Sequence, residues 1–227
     1  MAKKLTKKEQ EAFQRQRRRR RKMLAGAGIL VLAAALILGI YESLFVSESE
    51  AQQITDSDAP LASFYNPRVL SWRSRILKWA KEYDVNPNVI AIVMQIESCG
   101  DPVAISGAGA LGLMQVMPFH FPNGENMIDP DTNVRRGMGV FYECLTQFAD
   151  WDLGLALACY NGGPSVTMMD PSQWAAETRA YYRWATGMWE DVVNHNETSQ
   201  TLSDWLEAGG SNLCTDPSAT TSAQPAE

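Results

Sequence analysis

Residues 86–98 read Asn86-Pro87-Asn88-Val89-Ile90-Ala91-Ile92-Val93-Met94-Gln95-Ile96-Glu97-Ser98. Asn caps helix N-termini, and Pro suits the first helical position because its missing N–H would find no partner there. From Val89 to Ile96 the run is apolar nearly all round, so the helix is expected to be buried on every side. Gly100-Asp101-Pro102 stops it. The run closes on Glu97. A carboxyl at the end of a buried helix loses hydration, which raises its pKa and keeps its proton nearer neutrality. A general acid that protonates a leaving oxygen needs that property. The plainer reading of Glu97 is a carboxylate that bonds a nearby loop or emerges into water.

Outward from this helix, Asn66-Pro67 repeats the start signal, and Val69, Leu70, Ile76, Leu77, Ala80 and Tyr83 recur at helical spacing up to Asp84. Downstream, Asp131 or Thr132 starts a helix running to about Ala149. Asp152 opens a short one through Cys159, and Pro171 to about Asn194 supports one or two more. Trp174, Trp184 and Trp189 in that last stretch read as core. No segment shows sustained strand alternation, and the glycine-rich region from Ser106 to Gly124 reads as loop with short turns, with room for a small β-like lobe. The fold class expected is mainly α, with one core over residues 66–197.

The ends differ from the middle. The chain has 227 residues, and residues 1–22 hold 11 of its 20 Lys and Arg. The remainder carries 9 basic against 24 acidic residues, a net charge of −15. A folded part so poor in Lys and Arg is a weak match for phosphate contacts, so nucleic acid is not an expected partner. Residues 23–41 carry no charge. At helical rise those 19 residues span about 28 Å, close to the hydrocarbon thickness of a bilayer. Residues 1–22 therefore read as a basic cytoplasmic segment and 23–46 as a single transmembrane helix, with the rest of the chain extracytoplasmic. A cleaved signal peptide is the alternative. Residues 47–65 read as a polar linker and 198–227 as a flexible tail, apart from the surroundings of Trp205 and Cys214.

Two further stretches carry candidate chemistry. Gly107-Ala108-Gly109-Ala110-Leu111-Gly112-Leu113-Met114-Gln115-Val116-Met117-Pro118 allows close backbone approach; Gln115 offers hydrogen bonds to an acetamido group, and Met114 and Met117 offer adaptable apolar contacts to a sugar face. No Gly-Lys-Ser/Thr follows, so it is not a phosphate loop. Tyr160-Asn161-Gly162-Gly163 places a phenol and an amide together, although Asn and Gly also simply end helices. The plain alternative for the glycine stretch is a turn packed on the core.

Taken in order, Glu97-Ser98, the Ser106–Pro118 block, Ala156-Leu157-Ala158-Cys159-Tyr160-Asn161-Gly162-Gly163, and Glu177-Thr178-Arg179-Ala180-Tyr181 resemble the soluble-lytic-transglycosylase (SLT) family across about residues 70–190. The resemblance implies a lysozyme-like transglycosylase domain. It also implies peptidoglycan as substrate, cleaved between N-acetylmuramic acid and N-acetylglucosamine. Glu97 matches the family's catalytic glutamate. Ser106, Met114, Gln115, Tyr160 and Asn161 fall on motif positions tied to the sugar cleft; Glu177 and Tyr181 match the last block, whose tyrosine approaches the catalytic carboxyl. Cys99 after the Glu-Ser pair, Cys159 in place of a common Ala, and Tyr182 in place of Val depart from the pattern.

Two-carboxylate glycosidases need a second Asp or Glu across the cleft. No block supplies an obvious one, and Asp101 reads as a turn residue before Pro102. A single Glu acting as acid and then base, with the muramyl C6 hydroxyl as nucleophile, is the expected mechanism; its product is a 1,6-anhydromuramyl end. The alternatives are a lysozyme-like muramidase and a non-catalytic, membrane-tethered wall-binding protein. Cell-envelope machinery is a possible partner class. No cofactor is expected. Nor is a metal, since Cys-x-x-Cys is absent and His120 and His195 are far apart. Outside the cytoplasm four cysteines allow three full pairings. Cys99–Cys144 is the expected one, because it would fasten the end of the Glu97 helix to the next long helix.

Overall fold

The computed structural model describes residues 50–215. The expected basic segment and transmembrane helix lie outside the described residues. Among the described residues, no helix is long and apolar enough to cross a membrane.

The fold is helical. The main elements are α1 (Pro67–Leu70), α2 (Arg73–Tyr83), α3 (Pro87–Ser98), α4 (Pro130–Glu143), α5 (Leu153–Gly162), α6 (Ala176–Val193), α7 (Gln200–Trp205) and α8 (Ser211–Cys214). Their starts follow from side-chain caps. The carboxamide oxygens of Asn66 and Asn86 accept from the N–H of Arg68 and Asn88, and Asp129 and Asp152 cap α4 and α5 in the same way. Asp129 thus starts α4 at Pro130, slightly before the expected Asp131 or Thr132.

α3 runs through the centre, and ten of its twelve residues are buried. It packs against α2 on one side and α6 on the other, while α5 lies between α4 and α6. Ile90, Ile92, Met94, Leu113, Met138, Leu145 and Leu157 are among the largest side chains withdrawn from water. Each contributes about 1.5–3 kcal/mol relative to exposure. α3 ends where Cys99 turns left-handed (φ 48°) and its N–H closes on Gln95 O. Gly100 follows at φ 81°, and a Cβ there would meet the Arg68 backbone at 3.0 Å. The chain therefore leaves the helix at a fixed angle immediately after Glu97 and Ser98. Of the small β-like lobe, the segment after α3 forms only isolated bridges, Ile105 with Leu111 and Leu111 with Val116.

The structure bears on three expectations about the ends and the cysteines, and overturns the first and the third. First, residues 50–65 are not a free linker. Residues 50–54 are helical, and Ile54, Leu61 and Tyr65 are buried in the core. Asn88 pins this segment: its Oδ1 accepts from Ala62 N and its Nδ2 donates to Pro60 O, both at 2.9 Å. The polar, acidic composition masked three well-spaced apolar anchors. Second, the stretch around Trp205, set apart from the flexible tail by its sequence, is folded: α7 buries Leu202 and Trp205. Third, the pairing is Cys99–Cys214 and Cys144–Cys159, not Cys99–Cys144. Cys144 begins a wide π turn that continues α4 and faces α5, so it meets Cys159, while α8 brings Cys214 to the end of α3.

Candidate active site

Glu97 occupies the last turn of α3 and is partly buried. Burial pushes its carboxyl up to about 8; the negative charge of Glu177 pushes the same way, and the Tyr181 hydroxyl partly offsets both. Tyr181 sits on α6 one turn after Glu177 and is buried. Its hydroxyl is close enough to Glu97 to favour the ionised carboxyl, yet it makes no hydrogen bond of standard geometry to any described group. A buried hydroxyl without a partner is costly in a protein interior, and such groups mark functional sites or strain. Tyr160, on α5, is the second phenol. It donates to Met114 O at 2.7 Å. Burial and the Glu97 charge hold both phenols well above their ordinary range, so they stay protonated and act as donors.

Glu97, Glu177, Tyr160 and Tyr181 are therefore brought together from three helices. The other expected residues are packed or hydrogen-bonded within the fold. Met114 is fully buried beneath the glycine-rich loop. Gln115 follows it at φ 46°, and its Nε2 donates to Ala104 O (3.1 Å) and Gly112 O (3.0 Å). With both amide protons engaged, Gln115 has only its oxygen left for a ligand. Asn161 Oδ1 accepts from Thr178 Oγ1 at 2.9 Å, tying α5 to α6. Ser106 Oγ accepts from Ala110 N at 3.0 Å and closes a turn inside the loop. Asp101 pairs with Arg68 at 3.1 Å and caps Val103 N, as a turn residue does. Glu177 is the one other carboxylate whose charge acts on Glu97.

Two residues of this neighbourhood escape the reading from sequence. The Ser98 hydroxyl donates to Leu113 O at 2.8 Å and to Met94 O at 3.3 Å, so it clips the glycine-rich loop to α3. Asn133, fully buried in α4, holds the same loop from the other side. A signal existed for Asn133: it precedes Val134 on the apolar face of α4 and is polar where a core side chain is due. Among the described residues, no three of His, Cys, Asp and Glu gather where a metal could be held.

The model of the transglycosylase SLT domain family matches residues 74–182, which contain Glu97, the glycine-rich loop, Tyr160 and Tyr181. Residues 74–182 are a transglycosylase SLT domain. Among curated proteins, the transglycosylase of Enterobacteria phage PRD1 is 34% identical over 114 residues, which take in 49% of this chain and 40% of the phage protein. The membrane-bound lytic murein transglycosylase C of Actinobacillus pleuropneumoniae serotype 5b is 38% identical over 58 residues, 26% of this chain and 16% of that protein. The chain thus spans less than half the length of these relatives. A solved structure of an inactive mutant of the lytic transglycosylase Slt from Pseudomonas aeruginosa matches with a TM-score of 0.45 and 24% identity, over 57% of this chain and 25% of that one. The SLT match begins inside α2 and ends inside α6, so the segment at 50–65 and helices α1, α7 and α8 lie outside the matched residues.

Proposed function

We propose that the chain is a peptidoglycan lytic transglycosylase with Glu97 as its single acid and base. The observation that carries this reading is a partly buried carboxyl at the end of α3, pushed up to about 8, beside two phenols, Tyr181 buried and Tyr160 partly buried. At neutral pH Glu97 holds a proton. It gives that proton to the oxygen linking N-acetylmuramic acid to N-acetylglucosamine, and the anomeric C–O bond breaks. The carboxylate left behind takes the proton of the muramyl C6 hydroxyl, whose oxygen bonds to the anomeric carbon. The ring closes as a 1,6-anhydromuramyl end, Glu97 is protonated again, and no water is consumed. The loop that carries Ser106, Met114 and Gln115, together with Asn161, forms the wall that orients the sugars, and the Tyr181 hydroxyl supplies a donor to the reacting oxygens. This assignment extends the expectation drawn from the motif order.

Two disulfides support a site of action outside the cytoplasm, since such bonds persist in oxidising compartments. They accord with a basic cytoplasmic segment at 1–22 and a membrane helix at 23–46, which set the domain against the glycan strands of the wall and within reach of envelope machinery. The influence of Glu177 on Glu97 favours one second reading, a lysozyme-like hydrolase in which Glu177 activates water.

Product analysis separates the two. Purified peptidoglycan is digested with the full chain and the glycan ends are weighed by mass spectrometry. Anhydro ends support the transglycosylase; ends heavier by one water establish the hydrolase. Glu97→Gln abolishes both activities, and lysis retained by that variant removes Glu97 from the chemistry.

A further inference from the structure

Asn133 lies on α4, which carries none of the side chains used above. It is fully buried and each of its polar atoms is engaged. Oδ1 accepts from Met114 N at 2.8 Å, and Nδ2 donates to Leu111 O at 2.8 Å and to Met127 O at 2.9 Å. The Met114 N–H shares a peptide unit with the Leu113 carbonyl, which accepts from Ser98 Oγ at 2.8 Å. The next carbonyl, Met114 O, accepts from the Tyr160 hydroxyl at 2.7 Å. Two consecutive peptide units therefore receive one bond from each of three helices: α3 through Ser98, α4 through Asn133 and α5 through Tyr160.

Both outer bonds lead to Glu97. Ser98 follows it directly, and Tyr160 feels its charge. One turn along α4 from Asn133, Gly137 is buried under the same segment. A Cβ there would stand 2.7 Å from Met114 Cβ and 3.1 Å from the Tyr160 hydroxyl oxygen. Gly112, at φ 75°, is shaped against Asn133 itself: a Cβ there would lie 2.5 Å from Nδ2. Directly after the clamped peptides, Gln115 sits at φ 46°, a conformation that side chains with a Cβ resist. A segment held against its own preference relaxes once its clamp is cut.

We propose that Asn133, helped by the bare face of Gly137, is a positioning residue of the SLT site, clamping the Leu113–Met114 peptide so that Tyr160 and the end of α3 are held around Glu97. The proposal rests on Glu97 being the acid of the reading above. Asn133 touches no reacting atom; it acts through the loop. Its charge-free carboxamide suits this place, because one acceptor and two donors match one N–H and two carbonyls, which neither Asp nor Leu could do.

The test compares Asn133→Ala and Gly137→Ala with Asn88→Ala in the full chain. Asn88 is an equally buried, fully engaged asparagine at the other end of α3, so it reports what losing a structural amide does. Two readouts are taken: kcat and KM on purified peptidoglycan fragments, corrected for the folded fraction, and the titration midpoint of the Glu97 carboxyl by 13C NMR. In Asn133→Ala, kcat falls about 10- to 100-fold with KM nearly unchanged, the scale expected for a misplacement of about 1 Å. The Glu97 midpoint falls from about 8 toward its ordinary value as water reaches it. Asn88→Ala leaves both unchanged. Gly137→Ala leaves the Asn133 carboxamide in place but sets a Cβ 2.7 Å from Met114 Cβ, so it loses kcat through the displaced loop; helix propensity offsets part of the overpacking, and this variant decides the matter should Asn133→Ala not fold. Equal kcat for the Asn133 and Asn88 variants, an unmoved Glu97 midpoint, or full activity in Gly137→Ala overturns the proposal. A wild-type chain without action on peptidoglycan would refute the functional reading, while the carboxyl titration would still judge Asn133.

Discussion

Replacing Glu97 with Gln makes the protein more stable, by an amount that grows with pH. The carboxyl stands at about 8 in the fold against 4.5 when free. Over that window the folded state keeps a proton that the unfolded chain releases, so stability falls as pH rises from about 4.5 to about 8. Each pKa unit is worth about 1.4 kcal/mol. Linkage then sets the penalty at about 1 kcal/mol at pH 5, about 3 at pH 7 and about 5 above pH 9. Partial exposure of Glu97 lets water share the charge, so these are ceilings. Gln preserves shape and cannot ionise, and it escapes the whole penalty. The assay is urea unfolding of both proteins, disulfides intact, followed by tryptophan fluorescence at about pH 5, 7 and 9. The expected gap between variant and wild type is small at the acid end and opens by about 2 kcal/mol or more by neutral pH. A gap that stays flat from about pH 5 to pH 9 would mean a hydrated carboxyl with an ordinary pKa, and the site would lose its acid.

Activity on peptidoglycan should decline as pH rises through about 8, where Glu97 gives up its proton. Glu177→Gln removes a charge that raises that pKa, so it moves the basic limb of the kcat/KM profile to lower pH; an unmoved limb places Glu177 outside the field of the acid. Tyr181→Phe deletes a buried hydroxyl that makes no hydrogen bond of standard geometry among the described residues. It should gain about 1 kcal/mol in urea unfolding while losing kcat, and loss of both would assign the phenol to structure. Cys214→Ser opens a loop of 115 residues and Cys159→Ser one of 15, so the chain-entropy model gives costs of about 5 and about 3 kcal/mol in the same assay. The reverse order would contradict that model here.

The central helix was legible because its signals are local. Asn86-Pro87 starts it, eight residues carry one message, and the capping and apolar patterns agree. Glu97 stood out because it broke that pattern at the end of a buried run. What stayed hidden depended on where distant segments land. Ile54, Leu61 and Tyr65 are scattered through polar chain, and the bonds from Asn86 and Asn88 that anchor this chain come from a distant helix start. The pairing of Cys99 with Cys214 required knowing that α8 returns to the end of α3. Asn133 sits on the apolar face of its helix, but its three bonds depend on where the glycine-rich loop and Met127 land. Motif membership grouped Ser106 and Asn161 with the cleft, whereas their side-chain oxygens are taken up by the Ala110 N–H and the Thr178 hydroxyl.

The bond between Cys99 and Cys214 closes a covalent ring whose circumference includes the glycine-rich loop, both phenols and helices α4 to α7. A protease that nicks one surface turn on that ring therefore releases nothing: the two pieces remain a single molecule until a reductant arrives. At the proposed site of action outside the cytoplasm such damage would be survivable, and on gels it would show only after thiol treatment.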